Sequence, residues 1–185
     1  MNVVSETADN LPHGLYSLTA AYRHKVFIEY LGWQLAAHDG MERDQFDRTD
    51  TLYVVARDEM GGVCGCARLM PSTRPYLLSE IFPQLQNGAL PPRSPEVWEL
   101  SRFAAVDFNA NTTSALGQFS SPVTLRLLEE AIACAAARGA RRLITVSPIG
   151  IERLLRRAGF HAHRAGPPMI IDGHPIFACW IEVKA

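Results

Sequence analysis

The order of strand and helix segments is the feature that most restricts the fold of this chain. Residues 51–57 and 63–70 are rich in β-branched and aromatic residues and flank a Gly61-Gly62 turn, which predicts a hairpin. Further strands are predicted at 97–106, 143–146, 169–171 and 176–183, helices at 15–30, 121–138 and 150–158, and a short helix or turn at 79–85. This order predicts an α/β fold with helices covering a mixed sheet, in a single domain over residues 1–185.

The composition excludes several classes of protein. The chain has 18 Lys and Arg against 19 Asp and Glu, so no overall positive charge attracts nucleic acid or anionic lipid. No apolar segment reaches the roughly 18 residues that a membrane-spanning helix needs. The first ten residues carry two acids and no Lys or Arg, unlike a signal peptide. We therefore expect a cytoplasmic protein with no nucleic acid or membrane partner.

The four cysteines and six histidines show no spacing that is typical of a metal site. Cysteines in a reducing compartment usually behave as small buried hydrophobic residues. The sequence therefore predicts neither a metal nor a disulfide framework.

Arg23 and Phe27 lie four residues apart on the first predicted helix, and Trp33 follows the end of that helix. A cation beside two aromatic rings suits a flat or cationic ligand, which it binds by stacking and cation–π attraction. The alternative is an ordinary amphipathic helix with a tryptophan packed against it.

Three carboxylates lie within six residues, at Glu42, Asp44 and Asp47. Such a cluster can bind a metal, hold a substrate amine or pair with buried arginines. Metal is the weakest of these interpretations, because no His accompanies the carboxylates and the spacing is not that of a calcium loop. The usual alternative is a solvated loop, and residues 36–50 are predicted to be a polar loop too acidic for the core.

Phe46 lies inside this acidic segment, which favours a loop that packs onto the protein. Arg23 and Arg68 are then its candidate partners in a buried ion network. A buried ion network adds little stability, so its presence indicates a geometric role.

Glu99 lies in the middle of the strand predicted at 97–106. Strand alternation places Glu99 and Ser101 on one face and Leu100 and Arg102 on the other. A carboxylate flanked by Trp and Leu in a strand is costly to bury unless it is paired or functional. Glu99 is therefore a candidate general base.

Taken together, these residues resemble the acyl-homoserine-lactone synthases, or autoinducer synthases. The residues that carry the resemblance are Arg23-x3-Phe27-x5-Trp33, Glu42-x-Asp44-x2-Asp47, Arg68 and Glu99-x-Ser101-Arg102. The resemblance extends from residue 16 to residue 159. It implies a single-domain three-layer α/β/α sandwich with a mixed, mostly antiparallel sheet, related to the N-acetyltransferases.

The resemblance also implies an activity. Members of the family transfer an acyl group from acyl carrier protein to the amine of S-adenosylmethionine, and then form the lactone with release of methylthioadenosine. S-adenosylmethionine is thus a substrate, and no cofactor is implied. The sequence looks nearest to members that make octanoyl or similar unsubstituted chains.

Site residues follow from the resemblance in three groups. Glu99 would take the amine proton, backbone N–H groups near Ser101 would stabilise the oxyanion, and Arg102 would position the thioester arm. The S-adenosylmethionine pocket and its ionic scaffold would comprise Arg23, Phe27, Trp33, Glu42, Asp44, Asp47, Arg68, Phe82 and Phe103. The acyl-chain pocket would comprise Leu125, Leu128, Thr145, Ser147, Ile149 and Leu154, all of which also suit an ordinary core.

The predicted acyl donor can be compared with the distribution of charge along the chain. Residues 126–164 contain eight Arg against three Glu, a local net charge of +5 that suits an acidic protein such as acyl carrier protein. Arg153 and Arg157 lie four apart on a predicted helix, where the family contacts the carrier protein. The alternative is a solvated Arg-rich surface.

Two rival functions are weighed against this interpretation. A coenzyme A-dependent N-acetyltransferase of the same fold would carry an Arg/Gln-x-x-Gly-x-Gly/Ala loop for the pyrophosphate, and residues 114–120 lack that pattern. A non-catalytic ligand-sensing module would not require Glu99 or the ionic cluster.

Overall fold

The computed structural model describes residues 1–108 and 122–183. It has the predicted α/β fold class, with a mixed sheet of eight strands flanked by helices. The chain divides into two compact units, Met1–Arg68 with Arg102–Ala131, and Leu69–Ser101 with Ile132–Ala185. Its organisation as a single domain stays a prediction.

The described elements are as follows. The helices are α1 (Leu15–Arg23), α2 (Leu77–Ile81), α3 (Pro122–Ala136) and α4 (Ile151–Arg157), with a π-helix at His24–Tyr30 and 3-10 turns at Ala8–Asn10 and Pro83–Gln86. The strands are β1 (Asn2–Thr7), β2 (Ala37–His38), β3 (Met41–Glu42), β4 (Leu52–Arg57), β5 (Val63–Pro71), β6 (Val97–Ala104), β7 (Arg142–Pro148), β8 (Ala162–Arg164), β9 (Met169–Ile171) and β10 (His174–Glu182).

In the first unit, helices pack against the strands through apolar side chains. Strand β1 pairs antiparallel with β4, and β4 neighbours β5. Tyr22 and Val26 pack with Cys66 of β5 and Ala104 of β6. Gly65 lies where α3 approaches β5, and a Cβ there would make unusually close contacts, 3.2 Å from a Leu127 side-chain carbon and 3.3 Å from the Ala104 carbonyl oxygen.

In the second unit, β6 and β7 run parallel, while β10 pairs antiparallel with β7, β8 and β9. Helix α4 contacts β8. Strands β7 and β10 are buried along most of their length, as expected for segments rich in Ile, Val and Phe.

The hairpin and the four other strands predicted from sequence are present, with ends shifted by a few residues. Sequence patterns missed β1, β2, β3 and β8, which are short or polar segments that form strands because a partner pairs with them. The predicted cap of α3, Ser121, lies outside the described residues. Among the helices that are described, none combines the length and apolar character needed to span a membrane.

Candidate active site

The turn at the end of the first helical region brings two aromatic rings together. Helix α1 ends at Arg23 and continues as the π-helix that carries Phe27. Gly32 adopts a left-handed backbone (φ 71°), and the chain reverses so that the Trp33 N–H donates to the Phe27 carbonyl at 2.9 Å. The two rings stack with centroids 5.2 Å apart and an interplanar angle of 21°.

Six charged side chains form a closed ring of alternating sign in the first unit. Each of three guanidinium groups binds two carboxylates, and each carboxylate binds two guanidinium groups, with N···O distances of 2.6–3.2 Å. The order around the ring is Arg23, Glu42, Arg102, Asp44, Arg68 and Asp47, which contacts Arg23 again.

This ion ring contains the buried network that the sequence predicts between the acidic segment and two arginines. The expectation that residues 36–50 are too acidic for the core is wrong at two positions, since Glu42 is fully buried and Phe46 is 2% exposed, while the other residues of the segment are exposed or half-buried. Glu42 can be buried because its carboxylate meets two guanidinium groups, and local turns orient the neighbouring carboxylates. The Asp44 carboxylate accepts the Phe46 N–H at 2.9 Å, and the Asp47 carboxylate accepts the Asp44 N–H at 2.8 Å.

The charges of the ion ring balance, because three guanidinium groups face three carboxylates. Burial opposes the charged form of Arg23, but its hydrogen bond to Asp47 and the charges of Asp47 and Glu42 raise the pKa of Arg23 well above its usual value. Burial likewise opposes the ionised form of Asp47, yet Arg23 and Arg68 hold the pKa of Asp47 well below its usual range. Arg23 and Asp47 are therefore charged at neutral pH, and the three formal positive charges of the ring match its three formal negative charges.

We expect Asp47 to make the stability of the protein depend on acid. Its pKa in the folded state lies below the unfolded value of about 3.9, so its stabilising contribution is present above that pH and is lost as the pH falls further. Asp47→Asn should lower the free energy of unfolding at pH 7 and flatten its decline between pH 4.5 and pH 2.5, measured by urea denaturation. The control Asp172→Asn, in an exposed turn, should show the same decline of the unfolding free energy with falling pH as wild type. A decline for Asp47→Asn as steep as that of wild type would contradict this prediction.

Arg102 connects the ion ring to the aromatic pair. Its guanidinium carbon lies 5.8 Å from the centre of the Phe27 ring, and its side chain binds Glu42 and Asp44. Its backbone is left-handed (φ 51°) within β6, so the strand geometry that the expected alternation assumes is interrupted at Arg102. A left-handed backbone costs a non-glycine residue about 1–3 kcal/mol and occurs where other contacts impose it, here two carboxylates. The predicted contact of Arg102 with a thioester arm stays a prediction.

Glu99 is fully buried in the second unit and anchors the start of α2. The Leu78 N–H donates to its Oε1 atom at 2.7 Å, and the Leu77 N–H donates to its Oε2 atom at 3.1 Å. Burial and the charge of Glu99 raise the pKa of Tyr76, directly before α2, well above its usual range. The Glu99 carboxylate is thus held in one orientation, and its convergence with the aromatic pair stays a prediction.

The other predicted pocket residues have varied environments. Ser101 is buried, whereas Phe82 and Phe103 are half-buried. Ile149 is 54% exposed, and its place in an acyl-chain pocket stays a prediction.

The remaining residues predicted for an acyl-chain pocket are Leu125 and Leu128 in the first unit, and Thr145, Ser147 and Leu154 in the second; that they form a pocket stays a prediction. The hydroxyls of Thr145 and Ser147 lie 3.5 Å apart on buried β7. Among residues 1–108 and 122–183 there is no group of three or more His, Cys, Asp or Glu residues that could hold a metal ion.

Sequence reasoning missed Tyr53 at this site. Its hydroxyl donates to Asp47 Oδ1 at 2.5 Å, and its side chain is 1% exposed. In sequence, Tyr53 resembles any aromatic residue of a buried strand. The feature that could have identified it is a hydroxyl among the apolar residues 52–56, because a buried tyrosine hydroxyl usually has a hydrogen-bond partner.

Comparison with known proteins connects this site to a family. The family model described as autoinducer synthase matches residues 13–185. An acyl-homoserine-lactone synthase of Acinetobacter nosocomialis is 58% identical over 183 residues, which is 99% of this chain and 100% of that protein.

Solved structures agree with this match. TofI, crystallised in a ternary complex with an inhibitor and MTA, has a TM-score of 0.85 at 48% identity and is covered to 93%, with 100% of this chain covered. MesI, described as a CoA-dependent acyl-homoserine lactone synthase, has a TM-score of 0.82 at 28% identity, covering 99% of this chain and 89% of that one. A putative N-acetyltransferase from Lactobacillus plantarum shares the fold, with a TM-score of 0.67 at 15% identity and coverage of 99% of this chain and 98% of that one. The chain therefore belongs to the autoinducer synthase family and is an acyltransferase.

Proposed function

We propose that this enzyme makes an N-acyl-L-homoserine lactone for quorum sensing, from S-adenosylmethionine and an octanoyl or similar chain carried by acyl carrier protein. The observation that carries the proposal is the neutral ion ring in contact with the Phe27–Trp33 stack through Arg102. This arrangement offers aromatic faces next to balanced charge, which suits a ligand that carries both charges and an adenine ring.

S-adenosylmethionine fits that chemistry. Its sulfonium is attracted to aromatic faces, and its adenine stacks on them. A ring with net positive charge would repel the sulfonium, whereas a neutral ring does not. The complex of TofI with MTA, in a protein 48% identical to this one, supports a thioadenosine ligand in this chain.

The first bond is an amide. The ammonium group of S-adenosylmethionine loses a proton to Glu99, directly or through a water molecule, and the amine nitrogen then attacks the thioester carbonyl. As the thiolate leaves the tetrahedral intermediate, the nitrogen loses its second proton and the thiolate takes up one proton, which gives the amide and the free thiol of the carrier. Backbone N–H groups near Ser101 stabilise the oxyanion of that intermediate. The two backbone donors that orient Glu99 fix its position for this transfer.

The second bond closes the lactone. A carboxylate oxygen of the acylated intermediate attacks its own γ-carbon, and methylthioadenosine leaves as a neutral thioether with the electron pair of the broken C–S bond. This step requires no base, because sulfonium is already a good leaving group. Holding the chain in a folded conformation is then the main contribution of the protein.

Exposed arginines on α4 support an acidic carrier protein as the acyl donor. Glu152, the acidic residue of this helix, pairs with Arg164 at 2.8 Å and with Arg156 at 4.0 Å. Within the part of the chain that the structure describes, no carboxylate lies within 4.0 Å of Arg153 or Arg157, and both are exposed. Their positive charge is therefore available to a partner.

We expect charge reversal at these two positions to weaken use of the carrier protein. Arg153→Glu with Arg157→Glu should raise KM for acyl carrier protein by about tenfold and leave KM for S-adenosylmethionine unchanged. The control Arg74→Glu with Arg93→Glu makes the same change of net charge on two exposed arginines and should leave both constants near wild type. Equal increases in both KM values for the α4 variant would argue against this docking surface.

The likeness to MesI makes coenzyme A a second candidate carrier. A single assay tests both carriers and the proposed function. Purified protein is incubated with S-adenosylmethionine and either octanoyl-acyl carrier protein or octanoyl-coenzyme A, and mass spectrometry follows the lactone and methylthioadenosine. Octanoyl-homoserine lactone from the carrier-protein reaction supports the proposal, and faster turnover with coenzyme A would overturn the choice of donor. Absence of both products with either donor would overturn the proposed function.

A further inference from the structure

Tyr53 supports the ion ring at Asp47. It lies in β4, and its ring packs with Leu11, Leu15 and Val55 and lies edge-on to Tyr16, with centroids 5.6 Å apart. This packing on several sides fixes the ring plane, so that the hydroxyl has a defined direction. That direction is toward Asp47.

The carboxylate of Asp47 receives five hydrogen bonds. Its Oδ1 atom accepts from Arg23, Arg68 and the Tyr53 hydroxyl, and its Oδ2 atom accepts from Arg23 and the Asp44 N–H. Arg23 binds it through both terminal nitrogens, at 2.7 and 2.9 Å. A fork-to-fork contact of this kind aligns the guanidinium plane with the carboxylate plane. Any rotation of Asp47 therefore rotates Arg23.

The neutral character of the Tyr53 donor matters for the ion ring. A lysine or arginine in its place would add a fourth positive charge to three balanced pairs. A phenol stabilises the carboxylate with a hydrogen bond and adds no charge, so the ring remains neutral toward a cationic ligand.

We propose that Tyr53 is a positioning residue which, by holding Asp47, keeps Arg23 and the neighbouring aromatic pair in the geometry that binds S-adenosylmethionine. This inference rests on the proposed function. Tyr53 acts through Asp47 and Arg23, so its removal changes binding of one substrate rather than the chemical step.

The test is Tyr53→Phe, which removes one oxygen atom and retains the ring. We expect Kd for S-adenosylmethionine, measured by calorimetry, to rise about tenfold, which corresponds to about 1.4 kcal/mol. We expect KM for S-adenosylmethionine to rise in parallel, with kcat within about twofold of wild type and KM for the acyl donor unchanged.

The matched control is Tyr22→Phe. The Tyr22 hydroxyl is also buried, and it bonds backbone atoms of Cys64 and Val106 rather than the ion ring. This variant should lose stability and keep wild-type affinity for S-adenosylmethionine, which separates positioning from a general loss of folding. A fluorotyrosine at position 53 retains the hydroxyl and should bind like wild type.

Three outcomes are distinguishable. If wild type itself fails to bind S-adenosylmethionine, the proposed function is overturned, and this inference with it. If wild type binds and Tyr53→Phe binds equally well, the inference alone is overturned. If Tyr53→Phe does not fold at the assay temperature, calorimetry is repeated with wild type, Tyr53→Phe and Tyr22→Phe at a lower temperature at which all three are folded: weakened affinity of Tyr53→Phe alone supports the role of the hydroxyl, and wild-type affinity contradicts it.

Discussion

Replacing Glu99 with Gln should lower kcat by a factor of about 10² to 10⁴, the usual contribution of a general base. The amine of S-adenosylmethionine is mostly protonated at neutral pH, and an amide side chain cannot accept its proton. Glutamine has nearly the same shape as glutamate, so KM for both substrates should change much less than kcat. Steady-state kinetics at saturating substrates measures this effect.

The hydrogen bonds of Glu99 complicate this substitution in a way that can be measured. A glutamine oxygen can still accept the Leu78 N–H, but its NH₂ group then faces the Leu77 N–H, and one backbone donor of α2 loses its acceptor. We therefore expect faster hydrogen exchange at the Leu77 amide as well as the loss of turnover. Catalytic and structural effects are separated by the pH profile, since only removal of a base abolishes the acid limb of kcat.

Glu96→Gln is the matched control for this experiment. Glu96 precedes the same strand, is exposed and pairs with Arg141 on the surface, so its neutralisation should leave kcat near wild type. Should Glu99→Gln retain most of the wild-type turnover, Glu99 is not the base, and its role is limited to holding α2.

Replacing Arg68 with Met should lower the free energy of unfolding by about 3–5 kcal/mol, because a buried ion network loses one partner. Arg68 is fully buried and binds both Asp44 and Asp47. Methionine fills much of the volume but offers no positive charge. The three carboxylates of the ion ring are then left with two guanidinium groups. The ion ring acquires a net charge of −1 in a largely buried site.

Urea denaturation and thermal melting measure this loss. For a chain of this size the melting temperature should fall by about 6–20 °C. The control Arg141→Met breaks an exposed ion pair, with side chains 78% and 54% exposed, and should change stability by less than about 1 kcal/mol. Comparable small losses for both variants would show that the ion ring is not held as tightly as its distances indicate.

The sequence identified most members of the ion ring but not its closure. The acidic segment with Phe46 inside it predicted a buried network with Arg23 and Arg68, and that network is present. The ring closes through Arg102, which lies 60 residues from Glu42 along the chain. No local pattern reports a contact across such a separation, and the left-handed backbone of Arg102 interrupts the regular strand geometry on which alternation depends.

Tyr53 and Glu99 show a similar division. A tyrosine in an apolar strand predicts burial, but the acceptor of its hydroxyl depends on which loop packs over the strand. A glutamate in mid-strand predicts a partner or a function. Its partners are backbone N–H groups of α2, and this pairing depends on how residues 72–96 pack against β6.

By itself, the sequence determined the fold class, the family and the residue types of the site, because these depend on periodicity, turn chemistry and short spacings along the chain. The tertiary structure alone decided that six of those charges form one neutral ring, that Arg102 links this ring to an aromatic stack, and that a phenol supports it. Hydrogen bonds and ion pairs act over about 3 Å, so the partner of a buried polar group is known only once distant segments have packed together.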